Sequence, residues 1–255
     1  MGMDVIVLAG GFAKRMWPLT RDRPKHLLEI AGRPMLSYTL DTLVEMNDVG
    51  TIYISTNEAF QGQFAEFATG YPEEKVKLII EPSPTEDRKL GSIGGLGYLI
   101  EKERLCSDTI IIGGDNLFEF HPSEAVDVFN DVNRDIVAVY DVGSKDAAKL
   151  YGIVDAGEDG IITGFLEKPQ DPPSTMAATA FYIFKADTIK LVLGYLEDGG
   201  KPDALGFFIS YLVENRPVYA WKFKGRWFDI GSLEVYYRAD EYFRDRPDKR
   251  NGHDR

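Results

Sequence analysis

Apolar segments of strand length alternate with segments of helical periodicity in the first part of the chain, and this alternation restricts the fold more than any other feature. Buried strands rich in β-branched residues are predicted at 5–9, 51–56, 76–80, 109–115 and 135–142. Helices are predicted after the first three strands, at 35–46, 59–68 and 93–105. Strand and helix repeated in this way favour a parallel sheet with helices on both faces.

The pattern changes after about residue 142. Residues 151–169 predict a hairpin around the turn at 157–160, and further strands are expected at 178–185 and 217–222, with helices near 187–196, 205–214 and 232–243. We therefore expect an α/β fold, a Rossmann-like αβα sandwich with a mostly parallel central sheet and antiparallel additions in the second half. One domain would cover 1–243, in two parts at about 1–142 and 143–243, followed by a polar, disordered tail at 244–255.

Charge and cysteine content exclude several classes of protein. The formal net charge is −12, from 29 basic and 41 acidic residues, which argues against a non-specific nucleic-acid binder. The single cysteine, Cys106, rules out an intrachain disulfide and suits a reducing compartment. No apolar run approaches eighteen residues, so a membrane span is not expected. These features predict a soluble, cytoplasmic protein.

Residues 8–30, LAGGFAKRMWPLTRDRPKHLLEI, form the most informative segment. A strand runs into Gly10 and Gly11, and cations follow at Arg15 and Lys25. Glycines at the carboxyl end of a strand let the backbone approach a ligand, and Arg or Lys can neutralise phosphate oxygens. Taken alone, the segment also fits an ordinary strand-to-helix turn with two surface cations. It is neither a G-x-G-x-x-G fingerprint nor a Walker A loop, so dinucleotide and P-loop readings are excluded.

Asp115 closes the fourth predicted strand, within Gly114-Asp115-Asn116. This position lies at the same edge of the sheet as the glycine loop. A carboxylate there suits Mg²⁺, a cation that prefers oxygen ligands and substrate phosphates. The alternative for an isolated G-D-N is an Asx turn.

The 8–30 segment resembles the signature of the sugar-1-phosphate nucleotidyltransferases, which reads L-A-G-G-x-G-[ST]-R-L-x-P-L-T followed by P-K-x-L-L. The resemblance extends over residues 3–243, with the motifs in the family's order. It implies that Arg15 holds the leaving pyrophosphate and that Lys25 stabilises charge at the α-phosphate. Ala13 and Lys14 stand where the family usually has Gly and Ser or Thr. The implied triphosphate loop consists of Leu8, Ala9, Gly10 and Gly11.

The same resemblance implies a Mg²⁺ site shared by Asp115 and Asp229. Asp229 lies in Trp227-Phe228-Asp229-Ile230-Gly231-Ser232, which matches the family's W-x-D-I-G-[ST] motif. Two distant aspartates in their family contexts are harder to obtain by chance than either alone. The alternative for Asp229 is a capping role for a helix that starts at Ser232.

The sugar side of the resemblance is carried by Gly152, Glu167 and Lys168. E-K-P at 167–169 implies a glutamate for sugar hydroxyls and a lysine for the sugar phosphate, and Gly152 would lie against the sugar ring. Without the resemblance, Glu167 and Lys168 would read as a surface ion pair. Ala178 and Ala180 replace the Asn and Gly of the family's N-A-G-x-Y-x-F, which leaves the sugar's identity open.

Glu81, Gly91 and Ser92 fall where the family reads the base and approaches the ribose. An ionised Glu81 only accepts hydrogen bonds, which suits the N1–H and N2–H donors of guanine better than the O4 acceptor of thymine. The L-G-[ST]-x-G-[GA] form at 90–95 also resembles mannose-1-phosphate guanylyltransferases. The alternative is that Glu81 faces solvent.

The sequence thus predicts an enzyme that forms an NDP-sugar and pyrophosphate from a nucleoside triphosphate (dTTP, UTP or GTP) and a hexose 1-phosphate of the glucose or mannose type. Mg²⁺ is the expected cofactor. No nucleic-acid or membrane partner is expected, and the sequence is compatible with a homo-oligomer. Two alternatives stay open: a weakly active or regulatory member of the same fold, and a nucleotidyltransferase that acts on a non-sugar phosphate.

Overall fold

The computed structural model describes residues 2–245. Its strands are β1 Met3–Leu8, β2 Glu29–Ile30, β3 Arg33–Pro34, β4 Val49–Asn57, β5 Val76–Glu81, β6 Thr109–Gly113, β7 Asn116–Phe118, β8 Asp135–Asp141, β9 Gly152–Ala156, β10 Ile162–Glu167, β11 Met176–Phe184, β12 Val218–Lys222 and β13 Trp227–Asp229. Its α-helices are α1 Met35–Glu45, α2 Gln61–Ala68, α3 Ser92–Glu103, α4 Pro122–Val132, α5 Lys145–Ala148, α6 Ala186–Glu197, α7 Leu205–Asn215 and α8 Leu233–Arg244.

The central sheet of the described chain has nine strands. Seven follow the order β10-β9-β11-β6-β1-β4-β5, while β8 pairs with β11 and β12 pairs with β8. β1 is parallel to both β4 and β6, and β4 is parallel to β5. β11 is antiparallel to β6 and to β8. The predicted mixture of a mostly parallel sheet with antiparallel strands from the second half is confirmed.

Alternation along β1 explains why helices cover both faces of the sheet. Val5 and Val7 are fully buried in a core with α1, α2 and α4, whereas Ile6 is fully buried in a second core with α3, α6 and α7. Successive side chains of a strand point to opposite faces, so a wholly apolar strand needs a helical layer on each side. The αβα sandwich predicted from the sequence is confirmed.

β11 lies between β6 and β8, so the fifth predicted strand is not a direct neighbour of the fourth. β8 runs in the same direction as β6, and both pair with the antiparallel β11. The register of β11 against β8 shifts between Ala178 and Tyr182, where Ala180 has φ = 53°. This irregularity divides β11 into a half that pairs with β9 and a half that pairs with β6.

A third, smaller core fixes the segment that follows β1. Met16, Leu28 and Ile30 are buried together with Phe228 of β13 and Ala239 of α8. This cluster joins the two ends of the described chain and positions Lys25 and Asp229 near one another.

Several local expectations need correction. The strand expected at 109–115 ends at Gly113, because Gly114 and Asp115 turn the chain into β7. The helix cap next to Asp229 is Ser232, whose Oγ accepts from the Val235 N–H at 3.3 Å, so the capping alternative for Asp229 is wrong. Of the predicted tail, Arg244 belongs to α8, and residues 246–255 lie outside the described residues.

None of the helices in the described part combines the length and the apolar character that a membrane crossing requires.

Candidate active site

A cleft of about 390 Å³ opens where β1, β5 and β6 end. Its walls include all the candidate catalytic, binding and metal-ligating residues from the sequence except Ala9 and Arg15. In an open α/β sheet the carboxyl ends of parallel strands are the usual place for a ligand. The predicted residues that line it are Leu8, Gly10, Gly11, Lys25, Glu81, Gly91, Ser92, Asp115, Gly152, Glu167, Lys168 and Asp229.

Lys25 and Asp115 form an ion pair at the centre of the cleft. Lys25 Nζ donates to Asp115 Oδ2 at 2.6 Å, and the two side chains are 10% and 29% exposed. Burial disfavours the Asp115 carboxylate, but the charge of Lys25 and the hydrogen bonds from Lys25 and from the backbone lower the pKa of Asp115. Asp115 is therefore ionised at neutral pH, as a cation ligand must be.

Asp229 reaches the same place through the short pair of β13 and β7. The pair is antiparallel, with Asp229 opposite Asn116, the neighbour of Asp115. The Ile230 N–H also donates to the Asp115 carbonyl oxygen at 2.9 Å. Burial, and next the charge of Asp115, raise the pKa of Asp229 to about 6. The Asp115 carboxylate thus disfavours ionisation of Asp229, and a cation bound between the two would offset this repulsion.

Asn116 holds the two aspartate segments in register. Its Nδ2 donates to Asp115 Oδ1 at 2.7 Å, and its Oδ1 accepts from Trp227 Nε1 at 2.7 Å. Among residues 2–245 no group of three or more His, Cys, Asp or Glu side chains is arranged to hold a metal ion. A pair of carboxylates nevertheless fits Mg²⁺, which is usually bound through one or two carboxylates together with substrate phosphates and water.

Glu81 lies at one end of the cleft and is buried, with 6% exposure, so the solvent-facing alternative is wrong. Its Oε1 accepts from Ser55 Oγ at 2.8 Å, and burial raises the pKa of its carboxyl group while this hydrogen bond opposes the shift. A Cβ on Gly10 or Gly95 would lie 3.0 or 2.7 Å from Glu81 Oε1. Those two glycines therefore let the backbone approach the carboxyl group closely.

Glu167 lies at the other end, next to Lys168. Glu167 is 16% exposed, Lys168 is 61% exposed, and Lys168 Nζ is 3.7 Å from Glu167 Oε1. Burial raises the pKa of Glu167, and Lys168 opposes that shift. A Cβ on Gly152 would lie 3.1 Å from Glu167 Oε2, and one on Gly206 would overlap that oxygen. Glu167 is thus held in a narrow, glycine-lined recess and is not part of a freely exposed ion pair.

The family model described as "Nucleotidyl transferase" matches residues 4–246. The chain belongs to this family.

Curated relatives within the nucleotidyl transferase family carry several substrate names. A putative mannose-1-phosphate guanyltransferase of Sulfolobus acidocaldarius is 28% identical over 246 residues, which cover 93% of this chain and 62% of the relative. A UTP–glucose-1-phosphate uridylyltransferase of Haloferax volcanii is 28% identical over 184 residues, covering 71% of this chain and 72% of the relative. Matches to the Sulfolobus protein and to three bifunctional GlmU proteins of Methanococcus cover only 51% to 62% of those relatives.

Solved structures agree with the fold of the family. A putative glucose-1-phosphate thymidylyltransferase from Bacillus anthracis superposes with a TM-score of 0.80 at 22% identity, covering 96% of each chain. A UDP-glucose pyrophosphorylase solved with UDP-glucose also gives a TM-score of 0.80, at 20% identity, with 96% of this chain and all of that chain covered. At these identities the similarity supports the α/β architecture.

Arg15 and Ala9 do not line the cleft. Arg15 is exposed in the short 3₁₀ turn Lys14–Met16. Ala9 is fully buried, and its N–H donates to the Ser55 carbonyl oxygen at 2.7 Å. The glycine loop in this structure therefore carries its arginine on the solvent side.

Sequence reasoning missed several side chains that line the cleft. His26 and Lys89 contribute to its walls, as do Asp203 and Leu205 at the start of α7. His26 had a signal, since it directly follows Lys25. Lys89 had none, because it stands in a polar loop where its Nζ pairs with Glu86 Oε1 at 2.8 Å.

Proposed function

We propose that this protein transfers a nucleotidyl group from a nucleoside triphosphate to a hexose 1-phosphate, forming an NDP-sugar and pyrophosphate. The observation that carries the proposal is one cleft that is lined by Lys25, Asp115 and Asp229 and also by Glu81 and Glu167. Glu81 ends β5 and Glu167 ends β10, the two strands at the ends of the seven-strand order, and β6, which precedes Asp115, lies between them. Such an arrangement suits two anionic substrates that meet at a centre where charge is neutralised.

The reaction would be an in-line displacement. An oxygen of the sugar phosphate forms a new bond to the α-phosphorus, and the bond from that phosphorus to the α,β-bridging oxygen breaks with its electron pair leaving on pyrophosphate. The attacking oxygen is already anionic, so no general base is required. Positioning and charge neutralisation by Lys25 and Lys168, with Arg15 on the leaving pyrophosphate after movement of its loop, would supply the catalysis.

Asp115 and Asp229 are the proposed Mg²⁺ ligands. When bound, Mg²⁺ would orient the phosphate oxygens and screen their charge. The rise that the charge of Asp115 causes in the pKa of Asp229 supports this assignment, because it reflects two carboxyl groups close together.

The carboxyl group of Glu81 favours a nucleotide whose base carries hydrogen-bond donors along its edge. Guanine offers N1–H and N2–H, and a carboxylate with Ser55 on one oxygen keeps acceptor capacity for both. We therefore favour GTP over UTP and dTTP. The relative from Sulfolobus is named as a putative guanyltransferase, which agrees with this preference.

The sugar is proposed to be glucose- or mannose-like, with Glu167 accepting from its hydroxyl groups. Ala178 offers no side-chain hydrogen bond to a sugar, so substrates with fewer hydroxyl groups, or a non-sugar phosphate, belong in the assay. A single catalytic domain over residues 1–243 and a cytoplasmic location complete the proposal, the latter resting on the lone cysteine.

The proposal is tested by measuring pyrophosphate release with Mg²⁺ for every pair of a triphosphate and an acceptor. The triphosphates are GTP, UTP, ATP, CTP and dTTP. The acceptors are the 1-phosphates of glucose, mannose and N-acetylglucosamine, and glycerol phosphate. We expect the highest rate with GTP and a hexose 1-phosphate. Triphosphate binding without pyrophosphate release in any combination would contradict catalysis and support a regulatory role. Faster turnover with glycerol phosphate would support the non-sugar alternative.

A further inference from the structure

His26 is a buried side chain in the cleft, and the proposed nucleotidyl transfer does not use it. Its exposure is 3%, and its ring forms part of the cleft wall beside Lys25 and Asp115. Nδ1 is buried without a hydrogen-bond partner. Within residues 2–245 no protein group hydrogen-bonds to the other ring nitrogen either, which makes this imidazole unusual among buried polar groups.

The surroundings of Nδ1 decide where the ring carries its proton. The His26 ring lies 6.1 Å from that of Phe64, and no acceptor is in reach of Nδ1. A buried N–H without an acceptor is costlier than an unpaired lone pair, and orphaned buried N–H groups are correspondingly rare. The imidazolium form would also place an N–H at Nδ1. The favoured state is therefore a neutral ring with its proton on Nε2.

The edge of the ring that carries Nε2 faces the turn after β6. A Cβ on Gly114 would lie only 3.1 Å from His26 Cδ2, the atom bonded to Nε2. Gly114 therefore allows the ring to lie close to the turn that carries Asp115. Of the two ring nitrogens, Nδ1 is the one buried without a partner, and the ring lines the cleft together with Lys25 and Asp115. A donor at Nε2 would therefore be available where phosphate oxygens would meet Lys25.

We propose that His26 is a further substrate-binding residue, whose Nε2–H donates a hydrogen bond to a phosphate oxygen of the bound nucleoside triphosphate. This inference rests on the proposed function. A phosphate oxygen is the fitting acceptor because it carries charge and cannot donate. A neutral donor adds a directional contact at a place where Lys25 is already paired with Asp115.

Imidazole ¹⁵N NMR of the wild-type protein tests the proton's position directly. The chain has three histidines, His26, His121 and His253, so the signals can be assigned with His26→Gln and His121→Gln. We expect the Nε2–H tautomer for His26 between pH 6 and 8. Each of the five triphosphates is then added in turn with Mg²⁺, and an increase in Tm shows which of them bind. For every triphosphate that binds, we expect the Nε2 signal of His26 to shift. An Nδ1–H tautomer, an imidazolium, or an unmoved signal with bound triphosphate would overturn the inference.

Two variants separate hydrogen bonding from packing. His26→Gln retains a donor, and His26→Leu retains apolar volume without one. We expect His26→Leu to lower kcat/KM for the triphosphate by about 10- to 100-fold, the range for a lost hydrogen bond to a charged group, with KM for the sugar phosphate unchanged. His26→Gln should stay within about threefold of wild type.

His121→Gln is the matched control, because His121 is exposed at the start of α4 and lies outside the cleft. Normal kinetics in a folded His26→Leu protein would overturn the inference while leaving the proposed function intact. If no triphosphate binds to wild type and none turns over, the proposed function fails and the inference fails with it.

Discussion

At the scale of single residues, Asp115 and Asp229 place two carboxylates side by side next to one lysine. Asp229 is the weaker acid of the two, because burial and the charge of Asp115 raise its pKa to about 6. Removing the charge of Asp229 should therefore lower the activity with Mg²⁺ but raise the stability of the protein without Mg²⁺.

Asp229→Asn is expected to lower turnover with Mg²⁺ by about 100-fold or more, since a phosphate-orienting ligand is lost. The same change should raise Tm in a chelator, because it removes a buried like charge. Pyrophosphate release and thermal unfolding with and without Mg²⁺ measure the two effects. Asp127→Asn, at an exposed position of α4, serves as the control. Unchanged turnover in Asp229→Asn would contradict the metal assignment.

Glu81 should make stability depend on pH. Burial raises the pKa of its carboxyl group in the folded protein, so the unfolded chain ionises first as pH rises above about 4.5. The folded state then loses stability relative to the unfolded state until pH passes the folded pKa. Glu81→Gln should abolish this loss, with little change in Tm at pH 4 and a higher Tm than wild type at pH 8.

Thermal melts of Glu81→Gln at several pH values, beside Glu45→Gln at an exposed end of α1, measure this dependence. Equal Tm differences at pH 4 and pH 8 would mean that Glu81 titrates normally in the folded protein.

At the scale of elements, α7 begins against the Glu167 recess. Gly206 lies in the first turn of α7, and a methyl group there would overlap Glu167 Oε2. Gly206→Ala should therefore displace Glu167, raise KM for the sugar phosphate and leave KM for the triphosphate unchanged, at a cost of about 1–3 kcal/mol from overpacking.

Gly194→Ala is the matched control within α6, because nothing lies within 4 Å of the added methyl group. Helix propensity predicts that this control gains about 0.5–1 kcal/mol. Steady-state kinetics and denaturant melts of both variants measure these effects. A normal sugar-phosphate KM in Gly206→Ala would argue against Glu167 as a sugar contact.

The elements also show what local sequence patterns could and could not reveal. β1 and β6 were predictable because β-branched, wholly apolar segments suit a strand buried on both faces. The insertion of β11 between β6 and β8 was not, since strand order depends on long-range packing that periodicity does not encode. The three-residue strands β7 and β13 are too short for a periodic signal, yet their pairing brings Asp229 beside Asp115.

The candidate site likewise contains residues that the sequence could predict and residues that it could not. Gly10 and Asp115 could be predicted to line the cleft because each follows a strand in a family motif, and Lys25 because it belongs to the same motif as Gly10. The recess around Glu167 could not be anticipated, because Gly206 contributes to it from a helix that is 39 positions later in the sequence.

At the scale of the whole molecule, the two proposed parts of the domain share one sheet. β8 belongs to the first part, and its neighbours in the described chain, β11 and β12, both belong to the second. A continuous sheet predicts cooperative unfolding. Far-UV circular dichroism and fluorescence of Trp17, Trp221 and Trp227 should therefore give coincident urea midpoints. Two separate transitions would indicate independent domains, as would a folded 1–142 fragment.

The central claim is that an oxygen of a sugar 1-phosphate attacks the α-phosphorus of a triphosphate in this cleft. The most direct measurement uses a hexose 1-phosphate with ¹⁸O at its phosphate oxygens, the triphosphate and Mg²⁺, followed by mass spectrometry of both products. The account predicts that all the label stays in the NDP-sugar and that pyrophosphate is unlabelled. Label in pyrophosphate or in free phosphate, or no labelled NDP-sugar, would contradict it.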